Sequence, residues 1–299
     1  MAYRQVDILR GSGFPAYALH LNAGFHYSWF ANNTAVAYAS DIEWTEDDIL
    51  VIPEVAVESL IRNFPVPRLV IFNQNCYYTF QGRSERNLRL TETSSPYLDY
   101  DRVIAALCVS EDSREYLAHA FPSLRLFRIH LSVDSTIFYP NFEKQKQIAF
   151  MPRKNQEHAI QVLNVLKYRG ALKGYEISPI DACGEMQVAE LLRRANMFFS
   201  FGSIEGWPLP PAEAMSCGAL VIGYHGMGGK EYFRSEFSYP VAINDILGFC
   251  KTAENVIRVW EEDRGQLLDK AKAAQRYIST EYSTEREKRD VVSVWREIY

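Results

Sequence analysis

Cysteine is scarce in this chain of 299 residues, with five thiols at Cys76, Cys108, Cys183, Cys217 and Cys250. An odd set without paired close spacing builds neither a disulfide framework nor a zinc site, so these thiols read as reduced core groups of a cytoplasmic protein. Basic charge is not in excess either. With 32 Lys and Arg against 37 Asp and Glu, the net charge is -5 and the pI about 5.8, which argues against a surface made for nucleic-acid backbones. Long apolar runs are missing: nothing approaches the roughly 18 consecutive apolar residues of a membrane span. The N-terminus lacks a basic segment leading into an apolar run. The chain is therefore expected neither to enter nor to cross a membrane by its own sequence, which leaves room only for a peripheral contact. No linker, low-complexity tract or long repeat interrupts it.

What is present is enough apolar material, 47% of the residues, for two cores. Short apolar runs alternate with amphipathic stretches. Strands are expected at 5–9, 35–39, 49–54, 68–73, 103–110, 124–133, 147–151, 175–179 and 197–201. Helices are expected at 57–64, after a Ser110 cap with Glu111 and Asp112 in the first turn, at 157–169 with Ile160, Val162, Leu163 and Leu166 on the apolar side, and at 185–195, 245–262, 267–281 and 284–298. The pattern implies an α/β protein with two Rossmann-like doubly wound domains facing a cleft, one over 1–140 and one over 141–282, followed by a terminal helix over 283–299. The segment at 41–48 reads as a solvated loop, 82–100 as a solvated loop or a short helix that reaches an acceptor, and His20 and His119 as structural histidines.

The chemistry concentrates in 201–231. A strand ends at Phe201, a loop is tied down by Gly206, Pro208, Pro210 and Pro211, a short helix and a second strand follow, and a glycine-rich loop ends at Glu231. Proline suits a first helical position, so Pro210 or Pro211 should open the helix. A helix start presents free N–H groups and a positive dipole end to an anion such as a diphosphate. Glu205 and Glu213, eight positions apart, stand before the turn and just inside the helix, and both can face one cavity. Amides for phosphate and carboxylates for hydroxyls suit a nucleotide sugar. Three further groups stand where strands end. Glu54 is either a ligand group or the cap of the next helix. Asn73 and Asn75 either bind or form a turn that satisfies its own backbone. Arg153 and Lys154 are either surface charge or paired cations of the kind that fit phosphate oxygens.

The stretch from Glu205 to Glu231 resembles the nucleotide-sugar motif of retaining GT-B glycosyltransferases of the large group 1 family. That motif runs Glu-Gly-Phe/Trp-Gly-Leu-Pro, then a second Glu eight positions after the first, then Ala-Met-Ala-Cys-Gly, an apolar strand and Gly-Gly-x-Glu. Here it reads Glu205-Gly206-Trp207-Pro208-Leu209-Pro210, Glu213, Ala214-Met215-Ser216-Cys217-Gly218 and Gly228-Gly229-Lys230-Glu231, with Pro208 in the usual place of Gly. The resemblance implies retaining transfer of a sugar from a nucleotide-diphosphate donor to a glycan, lipid or small-molecule acceptor. It makes Glu205, Arg153 and Lys154 the catalytic group, with either Lys154 or His158 as the second phosphate-binding side chain. It implies donor contacts from Glu213, which would hold ribose hydroxyls, and from Gly206, Trp207, Pro208, Leu209, Pro210 and Ala212, with Glu231 in support. Residues 180–184 would line the base pocket. On the acceptor side it points to Glu54 and to Asn73 or Asn75, which stand where relatives carry a histidine. Gly11 and Gly13 are either a simple turn or the family's first glycine loop, and the terminal helix would return to the first domain. No metal and no cofactor beyond the co-substrate are implied. The rival reading is a non-catalytic GT-B module that binds a sugar nucleotide or a protein partner.

Overall fold

A computed structural model describes residues 1–27, 30, 32–56, 60, 64, 66–80, 97 and 101–299. The chain divides into two compact units, one of residues 1–131 with 285–299 and one of residues 132–284.

The first unit contains α1 (Ala2–Arg10), β1 (Ala18–His20), β2 (Val36–Tyr38), β3 (Ile49–Pro53), β4 (Arg68–Asn73), β5 (Val103–Cys108), α2 (Glu111–Ala120) and β6 (Leu126–Arg128). Strands β3, β4, β5 and β6 form a parallel sheet in chain order, and β1 pairs in parallel with β2. Leu69, Ile71, Ala106 and Leu107 are fully buried in the two central strands, which is why β4 and β5 read as continuous apolar runs. Strand β3 lies at the edge and exposes Val51. Ser110 caps α2 as its sequence position implies, its hydroxyl accepting the Ser113 N–H at 3.1 Å.

Two expectations in this unit are corrected. Residues 5–9 lie inside helix α1, not a strand. The alternation of Val6 and Ile8 is too short to separate the two, and the flanking Ala, Arg, Gln and Leu are good helix formers. Tertiary bonds hold the helix in place: Thr34 donates to Asp7 at 2.8 Å, and Arg4 pairs with Glu287 at 3.3 Å. Gly11 and Gly13 consequently form a turn after a helix, with Gly13 at φ +92°. The strand expected at 124–133 is only Leu126–Arg128. After the Ile129 N–H bonds Cys108 O, the next N–H, that of His130, goes to Asp290 at 3.0 Å, so the ladder stops. Most of the expected helix at 57–64 and of the loop at 82–100 lies outside the described residues.

The second unit contains β7 (Gln145–Phe150), α3 (Gln156–Tyr168), β8 (Glu176–Pro179), α4 (Glu185–Arg194), β9 (Ala195–Ser200), α5 (Leu209–Ser216), β10 (Leu220–Gly223), β11 (Tyr239–Pro240), α6 (Ile246–Glu262) and α7 (Gly265–Glu281). Helix α8 (Thr284–Ile298) then belongs, from residue 285, to the first unit. The five-stranded parallel sheet has the order β11-β10-β9-β7-β8. The chain steps outward from β7 to β8 and then returns past β7 to β9. The strand order therefore reverses between β7 and β9, and such a reversal opens a crevice at the carboxyl ends of the two strands. A ring stack of Phe201 on Phe249, 4.8 Å apart at 10°, closes the core behind it. One core assignment changes: Ile160 is exposed and Ala159 is buried in its stead, beside the expected Val162 and Leu166.

Candidate active site

The two strands that flank the reversal deliver opposite charges. Strand β7 runs into the turn Met151-Pro152-Arg153-Lys154, closed by Lys154 N–H on Met151 O at 3.2 Å. Asn155, at φ 51°, starts α3. Strand β9 runs through Phe201 and Gly202 to Glu205. The Lys154 ammonium donates to Glu205 Oε2 at 2.8 Å, joining residues 51 positions apart. The main chain pins Glu205 as well, since its N–H bonds Gly226 O at 3.0 Å and its carbonyl accepts the Gly228 N–H at 3.1 Å. A Cβ on Gly202 would lie 2.0 Å from Glu205 Oε1, so the carboxylate rests directly over that glycine. Arg153 is exposed and forms no ion pair among the described residues.

His158 Nδ1 lies 3.1 Å from both Asn155 Nδ2 and Tyr224 Oη. An Nδ1 that accepts from these two groups leaves the imidazole proton on Nε2, as a remaining donor. Lys154 and His158 thus come to one turn with different partners, one in an ion pair with Glu205 and one in a hydrogen-bond network with Asn155 and Tyr224.

The helix start differs from the expectation. Leu209, not a proline, is the first residue of α5, Pro208 is its N-cap, and Pro210 and Pro211 follow in the first turn. Four N–H groups at a helix start have no intrahelical partner. Three of these positions are proline here, so Leu209 supplies the one backbone N–H among them, and the dipole of the short helix adds to it. More of any anion's charge therefore falls to Arg153, Lys154 and His158 than a proline-free helix start would leave.

Glu213 is half-buried within α5, and Ala212 beside it is buried. The tyrosine just after the motif, Tyr232, was not legible as a neighbour of the acidic groups. Burial first, and then the negative field of Glu205, followed by Tyr282, Glu231 and Glu213, hold the fully buried Tyr232 phenol far above its usual range. That phenol donates to Pro208 O at the start of α5. Trp207 is only 5% exposed and donates its indole N–H to Glu231 Oε1 at 3.0 Å. The Tyr282 hydroxyl donates to the same oxygen at 2.8 Å, and the Trp207 ring packs 4.8 Å from that of Tyr282. Trp207 and Glu231 thus form the foundation of the loop. Gly226 and Gly229 lie against Pro208, where an added Cβ would approach its ring to 3.3 and 3.0 Å.

Behind α5, the Lys144 ammonium donates to Leu192 O, Arg193 O and Cys217 O at 3.2, 3.0 and 2.8 Å, which ties the carboxyl ends of α4 and α5 together. Burial pushes its pKa from the usual 10.5 down to about 7. A depressed lysine pKa means that between these values the unfolded chain binds the proton and the folded chain does not, so this group makes stability rise with pH from about 7 to 10.5. The melting temperature of the wild type is expected to gain on that of Lys144→Met between pH 7 and 9, and parallel pH curves would refute the assignment.

The three acceptor-side candidates meet at the carboxyl ends of β3 and β4 but spend polar atoms on their own unit. Glu54 accepts the N–H groups of Gln74 and Asn75, both at 3.1 Å, and burial raises its pKa against the pull of those bonds. Asn73 is fully buried and donates to Tyr97 Oη at 2.7 Å and Thr79 Oγ1 at 3.1 Å. Asn75 Oδ1 accepts the Tyr77 N–H at 3.2 Å.

No protein-family model matches the chain. An alpha-1,6-glucosyltransferase of Actinobacillus pleuropneumoniae serotype 7 (strain AP76) is 26% identical over 204 residues, 66% of this chain and 58% of that protein. The match thus spans less than two thirds of the relative's length. Sucrose-phosphate synthase from Thermosynechococcus elongatus superposes with a TM-score of 0.60 at 14% identity, covering 84% of this chain and 73% of the other. Anabaena Alr3699/HepE, solved in complex with UDP-glucose, gives a TM-score of 0.60 at 14% identity over 83% of this chain and 78% of its own. The fold is that of the GT-B glycosyltransferases. Within this GT-B chain, Arg153, Lys154, His158, Glu205, Glu213 and Glu231 all belong to the second unit, whereas Glu54, Asn73 and Asn75 belong to the first. Among the described residues, no helix is long and apolar enough to cross a membrane.

Proposed function

We propose that this chain is a retaining glycosyltransferase that moves a hexose from a uridine diphosphate sugar to a hydroxyl of a glycan or lipid-linked acceptor. The second unit holds the donor and the first takes the acceptor. The observation that carries the reading is the contact of Lys154 with Glu205 at the strand-order reversal, a cation suited to a diphosphate beside a carboxylate suited to sugar hydroxyls. With the donor bound, Lys154 turns to the diphosphate and Glu205 to the sugar hydroxyls. The bond from the anomeric carbon to the diphosphate breaks as that carbon bonds the acceptor oxygen, and the acceptor proton leaves with the nucleotide or to solvent. Negative charge grows on the diphosphate, so stabilisation comes from Arg153, Lys154, the His158 Nε2–H and the Leu209 N–H. These groups neutralise the leaving nucleotide without a metal ion. Glu213 holds the ribose hydroxyls, and Glu231 keeps the loop in shape through Trp207. The choice of uridine rests on the fold neighbour solved with UDP-glucose.

Calorimetric titration with UDP-glucose, UDP-N-acetylglucosamine and GDP-mannose, followed by transfer assays, tests the reading. Tight binding without transfer to any acceptor or to water would leave a non-catalytic nucleotide-binding module. Glu213→Ala is expected to weaken UDP binding by about one to two orders of magnitude, the worth of a charge-assisted hydrogen bond, with melting within a few degrees of wild type. Unchanged UDP affinity would remove Glu213 from the donor site.

A further inference from the structure

Helix α8 segregates its charges in a way that the transfer reaction does not use. Each of three acidic side chains has a partner within the first unit: Glu287 pairs with Arg4, Asp290 with His130 at 2.6 Å, and Glu297 with Arg125 at 3.3 Å. Lys288, Arg289 and Arg296 are exposed and form no ion pair among the described residues. These three cations, with Ser12, Val292 and Ser293, line a surface concavity of about 500 Å³. Glu285, a turn earlier on the same face, is the nearest acidic residue in sequence that could oppose them. The turn after α1 adds to the region. Ser12 lines the concavity, Arg10 lies 4.8 Å above the ring of Tyr17, and Phe14 meets the edge of Tyr299. Tyr17 and Tyr299 are 55% and 66% exposed.

We propose that this face docks the protein onto an anionic phospholipid surface. A basic face on a chain of net charge -5 is not the overflow of a general positive charge, so it answers a local negative partner. Its dimensions select that partner. Residues 288 and 296 are separated along the helix by about 12 Å at the usual rise per residue, a spread that suits neighbouring headgroups. The exposed Tyr17, under Arg10, and Tyr299, three residues past Arg296, match the interfacial zone of a bilayer, where a ring with one polar end is favoured. Cations near such a surface each strengthen partitioning by roughly fivefold, with an effect that fades as salt screens them.

The test uses the full chain and vesicle flotation, with liposomes of phosphatidylcholine alone or with a third of phosphatidylglycerol. The wild type is expected to float with the anionic vesicles, to stay behind with the neutral ones, and to lose most binding in half-molar salt. The triple variant Lys288→Gln, Arg289→Gln, Arg296→Gln is expected to lose about two orders of magnitude in partitioning, at unchanged melting temperature and unchanged UDP affinity. A single Lys288→Glu change should give an intermediate loss. Equal binding of wild type and triple variant, or equal binding to both vesicle types, would overturn the proposal. Displacement from the vesicles by inorganic phosphate at an ionic strength where chloride has no effect would also overturn it, in favour of a discrete phosphate site.

Discussion

Lys154→Ala is expected to lower the single-turnover rate of sugar transfer by about two to three orders of magnitude, the usual cost of removing one preorganised donor from developing charge. The loss should be at the upper end because three prolines around the start of α5 leave Leu209 as the one backbone donor there, so the helix start can take over little of the charge. Glu205 also loses its 2.8 Å partner, so Glu205→Ala and the double variant complete a cycle. Strong non-additivity is expected, since the two side chains act as a unit before and during donor binding. Lys154→Arg should rescue only in part, because a planar fork replaces a compact ammonium in a turn closed at Met151. A transfer rate within threefold of wild type for Lys154→Ala would shift the phosphate role to His158 and Arg153.

The second large effect is on stability. Gly223→Ala is expected to destabilise the second unit by about 4 kcal/mol or more, in the range reserved for severe core and backbone conflicts. A Cβ at this position would lie 2.3 Å from Ser200 O and 2.4 Å from Phe249 Cε2, and the residue sits at φ +125°. Neither neighbour can give way easily. Ser200 O already accepts the Tyr224 N–H at 2.8 Å, and the Phe249 ring is stacked on Phe201. For a unit of this size the melting temperature should fall by roughly 10 to 15 °C. Gly174→Ala is the control, because that glycine also has a positive φ, +81°, but open space around it. The control should cost about 1 to 2 kcal/mol of backbone strain alone. A similar loss in both variants would mean that the close approach at Gly223 is not what constrains it.

Much of the second unit was legible because its information is local. Strands at β7, β8 and β9 and helices α3, α4, α6 and α7 fall within a few residues of the expected bounds, since each is a short apolar run or a periodic stretch between turn residues. The candidate site was read from Glu205, Glu213 and the glycine-rich loop, which stand at set spacings in the sequence. Residues 5–9 were not legible, as five residues of mixed pattern take the structure that Asp7 and Arg4 are held in by distant partners. Tyr232 and Tyr282 were missed because an aromatic residue carries no mark of the acceptor it will meet, the Pro208 carbonyl for one and the Glu231 carboxylate for the other.

By itself the sequence determined the alternation of strands and helices, the two cores and the set of charged groups that could serve a nucleotide sugar. Tertiary structure decided what each of those groups does. It set the order β11-β10-β9-β7-β8, and with it the reversal that delivers Lys154 to Glu205. It also spent Glu231 on Trp207 and Tyr282, and Glu54 on the N–H groups of Gln74 and Asn75. The physical reason is that a carboxylate has the same local signature whether it awaits a ligand or satisfies a buried donor. Its partner is chosen by how segments tens of residues apart pack together.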